Sequence, residues 1–160
     1  MALAVLVQPG CGFHLRGAVD IPPSLSPLYI QSGGAVGRAI EARLHGSQVA
    51  LSRSPADAGL ILRILSEQRS SRVVAVDVDG KALAYALSYV VGFEVQDGDG
   101  NLLIPAQSIT LERTFDDNPD VSVLGKQQES DIIYADLASD AADQVLLRVR
   151  VGLANLQGDR

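Results

Sequence analysis

A chain of 160 residues with 47% hydrophobic and 4% aromatic residues is sized for one domain with a real core, which excludes a disordered chain and two comfortable domains. Its formal net charge of -6 carries no electrostatic footprint for nucleic acid, so no nucleic-acid partner is expected. One cysteine, Cys11, excludes an intrachain disulfide.

The chain opens on MALAVLVQPG, in which residues 2–7 are continuously apolar. That run is far below the about 20 residues a bilayer span needs. It reads in two ways. In the first it is the end of a signal-peptide apolar segment, closed by Gly10 directly before Cys11, as in bacterial lipoproteins cut before a cysteine that is then acylated. Gln8 and Pro9 are unusual for that motif, and a basic leader does not precede the run. In the second, residues 2–7 are a first strand or frayed terminus and Cys11 is a buried thiol. Residues 18–27 hold three prolines and two serines, which predicts an extended tether or edge, because proline removes a donor and restricts its predecessor.

Leu28 to Gln31 reads as a short strand, and Ser32-Gly33-Gly34 turns it into a helix from Ala35 to Leu44, with Val36, Ala39, Ile40 and Leu44 on one face and Gly46 closing it. Three long strands follow. Residues 60–78 are apolar-rich around the polar centre SEQRSSR, which predicts a bulge or break near Ser70. Asp79-Gly80 is a hairpin signal. Residues 81–95 alternate, with Leu83, Tyr85, Leu87, Tyr89, Val91, Phe93 and Val95 on one face and small residues on the other. DGDGN at 97–101 turns the chain into residues 102–115, where Pro105 marks an edge or bulge. A helix over residues 121–153 carries Ile133, Leu137, Ala141, Val145, Val149 and Leu153, widened by Ile132, Ala138, Ala142 and Leu146. The expected fold is α+β, two helices packed on one face of a mainly antiparallel, roughly four-stranded sheet. The expected organisation is a signal-peptide remnant at 1–10, a lipidated cysteine and tether at 11–27, one domain at 28–155 and a polar tail at 156–160.

Several stretches imitate functional motifs. The strand, GGAVG and helix at 28–44 resemble the opening of a dinucleotide site, but Ser32 stands where the first glycine of G-x-G-x-x-G belongs. DGDGN starts like a calcium loop, yet its twelfth position is Ser108 rather than a bidentate Glu. His14 and His45 sit far apart and beside no nucleophile, which argues against a catalytic pair and against a metal site. By the alternation Asp77 and Asp79 share one strand face, and Asp116 with Asp117 sit in a turn, but ordinary structural chemistry of Asp at turns outweighs an acid–base pair. Arg63, Arg69, Arg72, Lys81 and Arg113 belong to the sheet or its turns and Lys126 to the start of the long helix, where they form either an anion-binding cluster or a solvated face. No cofactor and no enzymatic activity is expected.

Cys11-Gly12-Phe13-His14-Leu15-Arg16, followed by Ile21-Pro22-Pro23-Ser24, resembles the N-terminal signature of the LPS-assembly lipoprotein family LptE, also called RlpB. The segment TFDDNPDVSVLGKQQESDIIYADL is similar to the family's F-x-D-N-P turn, through Phe115, Asp117, Asn118, Pro119 and Lys126, and VDVDGKALAYAL matches through Asp79-Gly80 and Tyr85. The resemblance implies a non-enzymatic outer-membrane lipoprotein, anchored through acylated Cys11, that plugs the LptD β-barrel, assists its assembly and helps deliver lipopolysaccharide to the cell surface. It implies two helices on a four-stranded sheet. It also implies a lipopolysaccharide contact at Lys126. The family's second basic position falls near Val78, beside Lys81, which is the weaker candidate. The competing reading from the residues alone is a soluble periplasmic or cytoplasmic small-ligand or nucleotide-binding domain that uses GGAVG.

Overall fold

The structure, a computed structural model, describes residues 21–116 and 123–158. Its elements are β1 (Leu28–Gln31), α1 (Ala35–Leu44), β2 (Leu60–Val76), β3 (Ala82–Asp97), β4 (Leu102–Asp116) and α2 (Val123–Gly158). They form an α+β fold: a four-stranded mixed sheet in the order β1-β2-β3-β4, with both helices packed on it. β1 runs parallel to β2, Leu28 opposite Leu60 and Ile30 opposite Leu62, and α1 is the crossover between them. β2, β3 and β4 form an antiparallel meander.

Local chemistry accounts for the two hairpins, which are the same turn built twice. In DVDGK, the Asp77 carboxylate accepts from the backbone N–H of Asp79 (2.9 Å) and Lys81 (2.8 Å), and Gly80 takes φ +81°. In DGDGN, the Asp97 carboxylate accepts from Asp99 (3.0 Å) and Asn101 (2.8 Å), and Gly100 takes φ +87°. Only glycine adopts that backbone cheaply. The Asn101 side chain adds a bond to Asp97, which holds this carboxyl below its ordinary value. Asp77 and Asp79 therefore lie in a turn and not on a strand face as the alternation suggested.

The core lies between the sheet and the helices. Val36, Ile40 and Leu44 of α1 meet Leu28, Leu60 and Leu62, while Leu137, Ala141, Val145, Val149 and Leu153 of α2 cover Val91, Phe93, Val95, Ile104 and Ile109. A 36-residue helix is about 54 Å long and a 16-residue strand about 53 Å, so α2 is about as long as the strands it packs on. Arg43 of α1 ties the helices together through Asp143 and both oxygens of Ser139, and Arg113 of β4 reaches Asp136 and Asp140 at 3.2 Å each.

Four expectations need correction. β2 is continuous through Ser70: Gln68 to Arg72 pair without interruption with Val90 to Ala86. The irregularities fall instead between Ile64 and Ser66 and around Ala75. The first of these switches the residue parity that faces the helices, from Leu60 and Leu62 to Glu67 and Arg69, which lie opposite Val91 and Tyr89. SEQRSSR is polar because one of its faces is open and the other is engaged in polar contacts. Second, the tether is not extended throughout. Pro23–Leu25 form a 3-10 turn, and Ile21 and Leu25 pack on the core. Third, α2 runs on to Gly158 rather than ending at Leu153, and Ile132 is exposed rather than part of the buried stripe. Fourth, Leu83 is exposed, as are Val73, Val74 and Val76, because the outer end of the β2–β3 ribbon runs past its helical cover.

Candidate functional site

The start of α1 has the N–H groups that would favour an anion, but the fold supplies its own. Glu67 Oε2 accepts from Ala35 N (3.0 Å), Val36 N (3.3 Å) and the Tyr89 hydroxyl (2.6 Å). The carboxylate from the neighbouring strand thus occupies the place where a phosphate would sit in a dinucleotide site. Gly34 is needed there because a Cβ would collide with that carboxylate. Burial, and then the bond to Glu67, push the Tyr89 hydroxyl up to about 12.

Next to this cap, Arg69 lays its guanidinium over two rings, 5.7 Å from the centre of Tyr89 and 5.2 Å from that of Tyr134. Tyr134, on α2, donates its hydroxyl to the Ser70 carbonyl at 2.7 Å, and burial raises its pKa. Beyond Tyr134, towards the β2–β3 turn, an open basin of about 290 Å³ lies between the sheet and the first turns of α2. Ser71, Tyr85, Leu87 and Phe115 supply its sheet side, and Lys126, Gln127, Ser130 and Tyr134 its helix side. Tyr85 and Phe115 are cross-strand partners and stack with centroids 5.7 Å apart and planes 20° apart.

Lys126 therefore lines the basin, as a cation at the start of a helix. Lys81 does not: it lies in the β2–β3 turn, next to the fully exposed Val78. The two lysines are not brought into one site. Cys11 and His14 lie outside the described residues, as do Asp117, Asn118 and Pro119. Glu67, Arg69 and Tyr134 are the residues that the sequence did not single out as a group. Tyr134 stands three residues before Leu137 and seven before Ala141, a spacing that marks it for the buried face. Nothing local links Glu67 to a helix start 32 residues away. Among the described residues no group of His, Cys, Asp and Glu is arranged to hold a metal ion, and no helix is long and apolar enough to cross a membrane.

These features define a small two-layer α+β protein whose main surface features are an aromatic basin with one cation and an open sheet face of small and polar residues. The chain belongs to the LptE family, described as lipopolysaccharide-assembly, whose model matches residues 18–149. It is 32% identical to the LPS-assembly lipoprotein LptE of Pectobacterium atrosepticum, covering 93% of this chain and 82% of that protein. It is likewise 32% identical to the LptE of Photorhabdus laumondii, covering 91% and 80%. Among solved structures, lipoprotein B from Nitrosomonas europaea matches with a TM-score of 0.71 at 26% identity, over 90% of this chain and 94% of that one. The rare lipoprotein B of Shewanella oneidensis shares the fold, with a TM-score of 0.72 at 21% identity over 82% and 99%.

Proposed function

We propose that this protein is an outer-membrane lipoprotein, anchored on the periplasmic side through acylated Cys11, that plugs and assists the assembly of the LptD β-barrel and helps deliver lipopolysaccharide to the cell surface. The observation that carries the reading is the family match across residues 18–149, which takes in α1, all four strands and α2 as far as Val149. The surface suits a plug. On the sheet face away from the helices, Ser88, Val90 and Gly92 of β3 lie beside Ser70 and Gln68 of β2 and Ser108 and Thr110 of β4, a low-relief surface that allows close approach to a lumen wall. Arg72 and Glu112 pair across this face at 2.9 Å, which leaves it polar. The rival nucleotide-binding reading meets the Glu67 carboxylate at the very N–H groups it requires.

Co-purification tests this. Protein extracted in detergent from its native membrane brings LptD with it, and the barrel slows amide exchange over β2, β3 and β4. Barrel-free extracts with exchange identical in the presence of LptD refute the reading.

A further inference from the structure

We propose that the outer edge of β4 is a pairing surface for a second copy of this chain, and that Arg148 of α2 keeps it closed by occupying the Ser108 carbonyl. This pairing surface does not depend on the plug reading. β4 ends the sheet order β1-β2-β3-β4, so among the described residues no strand covers its far side. From Gln107 to Asp116 it pairs with β3 in one unbroken register, and along such a strand successive carbonyls alternate in direction. The Gln107 carbonyl points towards β3, 3.9 Å from where a Cβ on Gly92 would stand. The Ser108 carbonyl therefore points outward, as do the N–H and C=O groups of Thr110, Glu112 and Thr114. Arg148 Nη1 donates to that Ser108 carbonyl at 3.1 Å and reaches Gln107 Oε1 at 3.4 Å.

Two identical edges pair antiparallel about a twofold axis, outward residue against outward residue. Registers centred on Glu112, Arg113 or Thr114 crowd the acidic Glu112 and Asp116 of both copies together, and like charges oppose them. Registers centred on Thr110 or Leu111 leave Asp116 unpaired and set Glu112 opposite Ser108 or Thr110. The first pairs Ser108 with Glu112 of the other copy and the second pairs it with Thr114, so both need the Ser108 carbonyl as an acceptor. On the other side of Ser108, Pro105 and the register shift beside it disrupt the edge. Arg148 thus blocks the registers that charge leaves open.

Sedimentation velocity tests this on the full chain, produced without acylation and kept reduced so that Cys11 cannot link two copies. The unmodified protein is expected to sediment as a monomer. Arg148→Met keeps the apolar stem of an exposed side chain and frees the carbonyl, so it should dimerise about tenfold more tightly, the scale of one charge-assisted hydrogen bond. In that dimer the outward amides of Thr110 and Glu112 should exchange more slowly than in the unmodified protein. Adding Thr110→Pro, which removes one outward N–H and no bond to β3, should restore the monomer. If Arg148→Met misfolds, Arg148→Gln provides the second arm, because its shorter side chain falls short of Ser108 and should release the edge in the same way. A folded Arg148→Met or Arg148→Gln that stays monomeric wherever the unmodified protein does, a dimer that survives Thr110→Pro, or an unmodified protein that dimerises as tightly as Arg148→Met would each overturn the proposal.

Discussion

Gly34 and Glu67 are pressed together so closely that a Cβ on the glycine would fall onto the carboxylate. The contact joins the start of α1 to the middle of β2 and lets one side chain cap a helix on another element, bonding two N–H groups that would otherwise be left over at the helix start. Gly34→Ala is therefore expected to cost about 1–3 kcal/mol by overpacking. Glu67→Ala should cost a similar amount, since it removes the cap and leaves the Tyr89 hydroxyl without its acceptor. Urea unfolding measures both. The double variant should lose less than the sum, because the clash disappears with the carboxylate. Strict additivity would mean that the two residues do not act on each other.

The same pair shows where sequence reasoning reached and where it stopped. β1 and α1 fall at Leu28–Gln31 and Ala35–Leu44, as the sequence indicated, because each is specified by residues inside it: alternation, a glycine turn, an i, i+4 apolar face. The hairpins were legible for the same reason, since Asp-Gly chemistry is local. The parallel pairing of β1, the register shift after Ile64 and the Glu67 cap depend on partners tens of residues away, so no window of sequence contains them. SEQRSSR looked like a break because polarity on both faces of a strand cannot be told from a loop until the cap and the stacked arginine are seen. At the basin, Lys126 was legible as a cation at a helix start. Tyr85, Phe115 and Tyr134 become one surface only when β3, β4 and α2 are assembled.

Tyr89 should make the fold sensitive to alkali. An ionised phenolate there would be both desolvated and set against Glu67, so the folded chain holds the proton more tightly, with the pKa raised from 10.0 to about 12. A raised folded value gives a contribution that is complete below the unfolded pKa and is lost as pH rises through the folded one. The stability loss assignable to Tyr89 should fall between pH 10 and about 12. Tyr89→Phe removes the titrating group, so its urea midpoint should fall less steeply across that window than that of the unmodified protein. Parallel losses would assign the alkaline sensitivity to other groups.

The anchor can be tested separately from the barrel. If Cys11 carries the acyl chains, each buried CH₂ holds the protein to the bilayer by about 0.8 kcal/mol, and Cys11→Ala should shift it from the membrane to the soluble periplasmic fraction. The folded domain should be unaffected, with the same thermal midpoint. Intact mass of the membrane-extracted protein provides the direct reading, and an unmodified Cys11 would remove the anchor from the model of function.

Lys126 is where helix position, basin geometry and family resemblance meet. It lines the aromatic basin at the start of α2, whereas Lys81 lies in the β2–β3 turn outside it. A lysine is a compact point charge that attracts phosphate without requiring one fixed geometry. Attraction between exposed charges fades over about 10 Å at 0.1 M salt. Lys126→Asp should therefore weaken lipopolysaccharide capture most at low ionic strength, with the gap from the unmodified protein narrowing as salt is added. Lys81→Asp should have the smaller effect because the turn supplies no aromatic floor. Circular dichroism and LptD co-purification should be unchanged in both variants, which separates a lost contact from a lost fold. Should Lys81→Asp, Lys126→Asp capture lipopolysaccharide as well as the unmodified protein at low salt, neither lysine contacts the ligand.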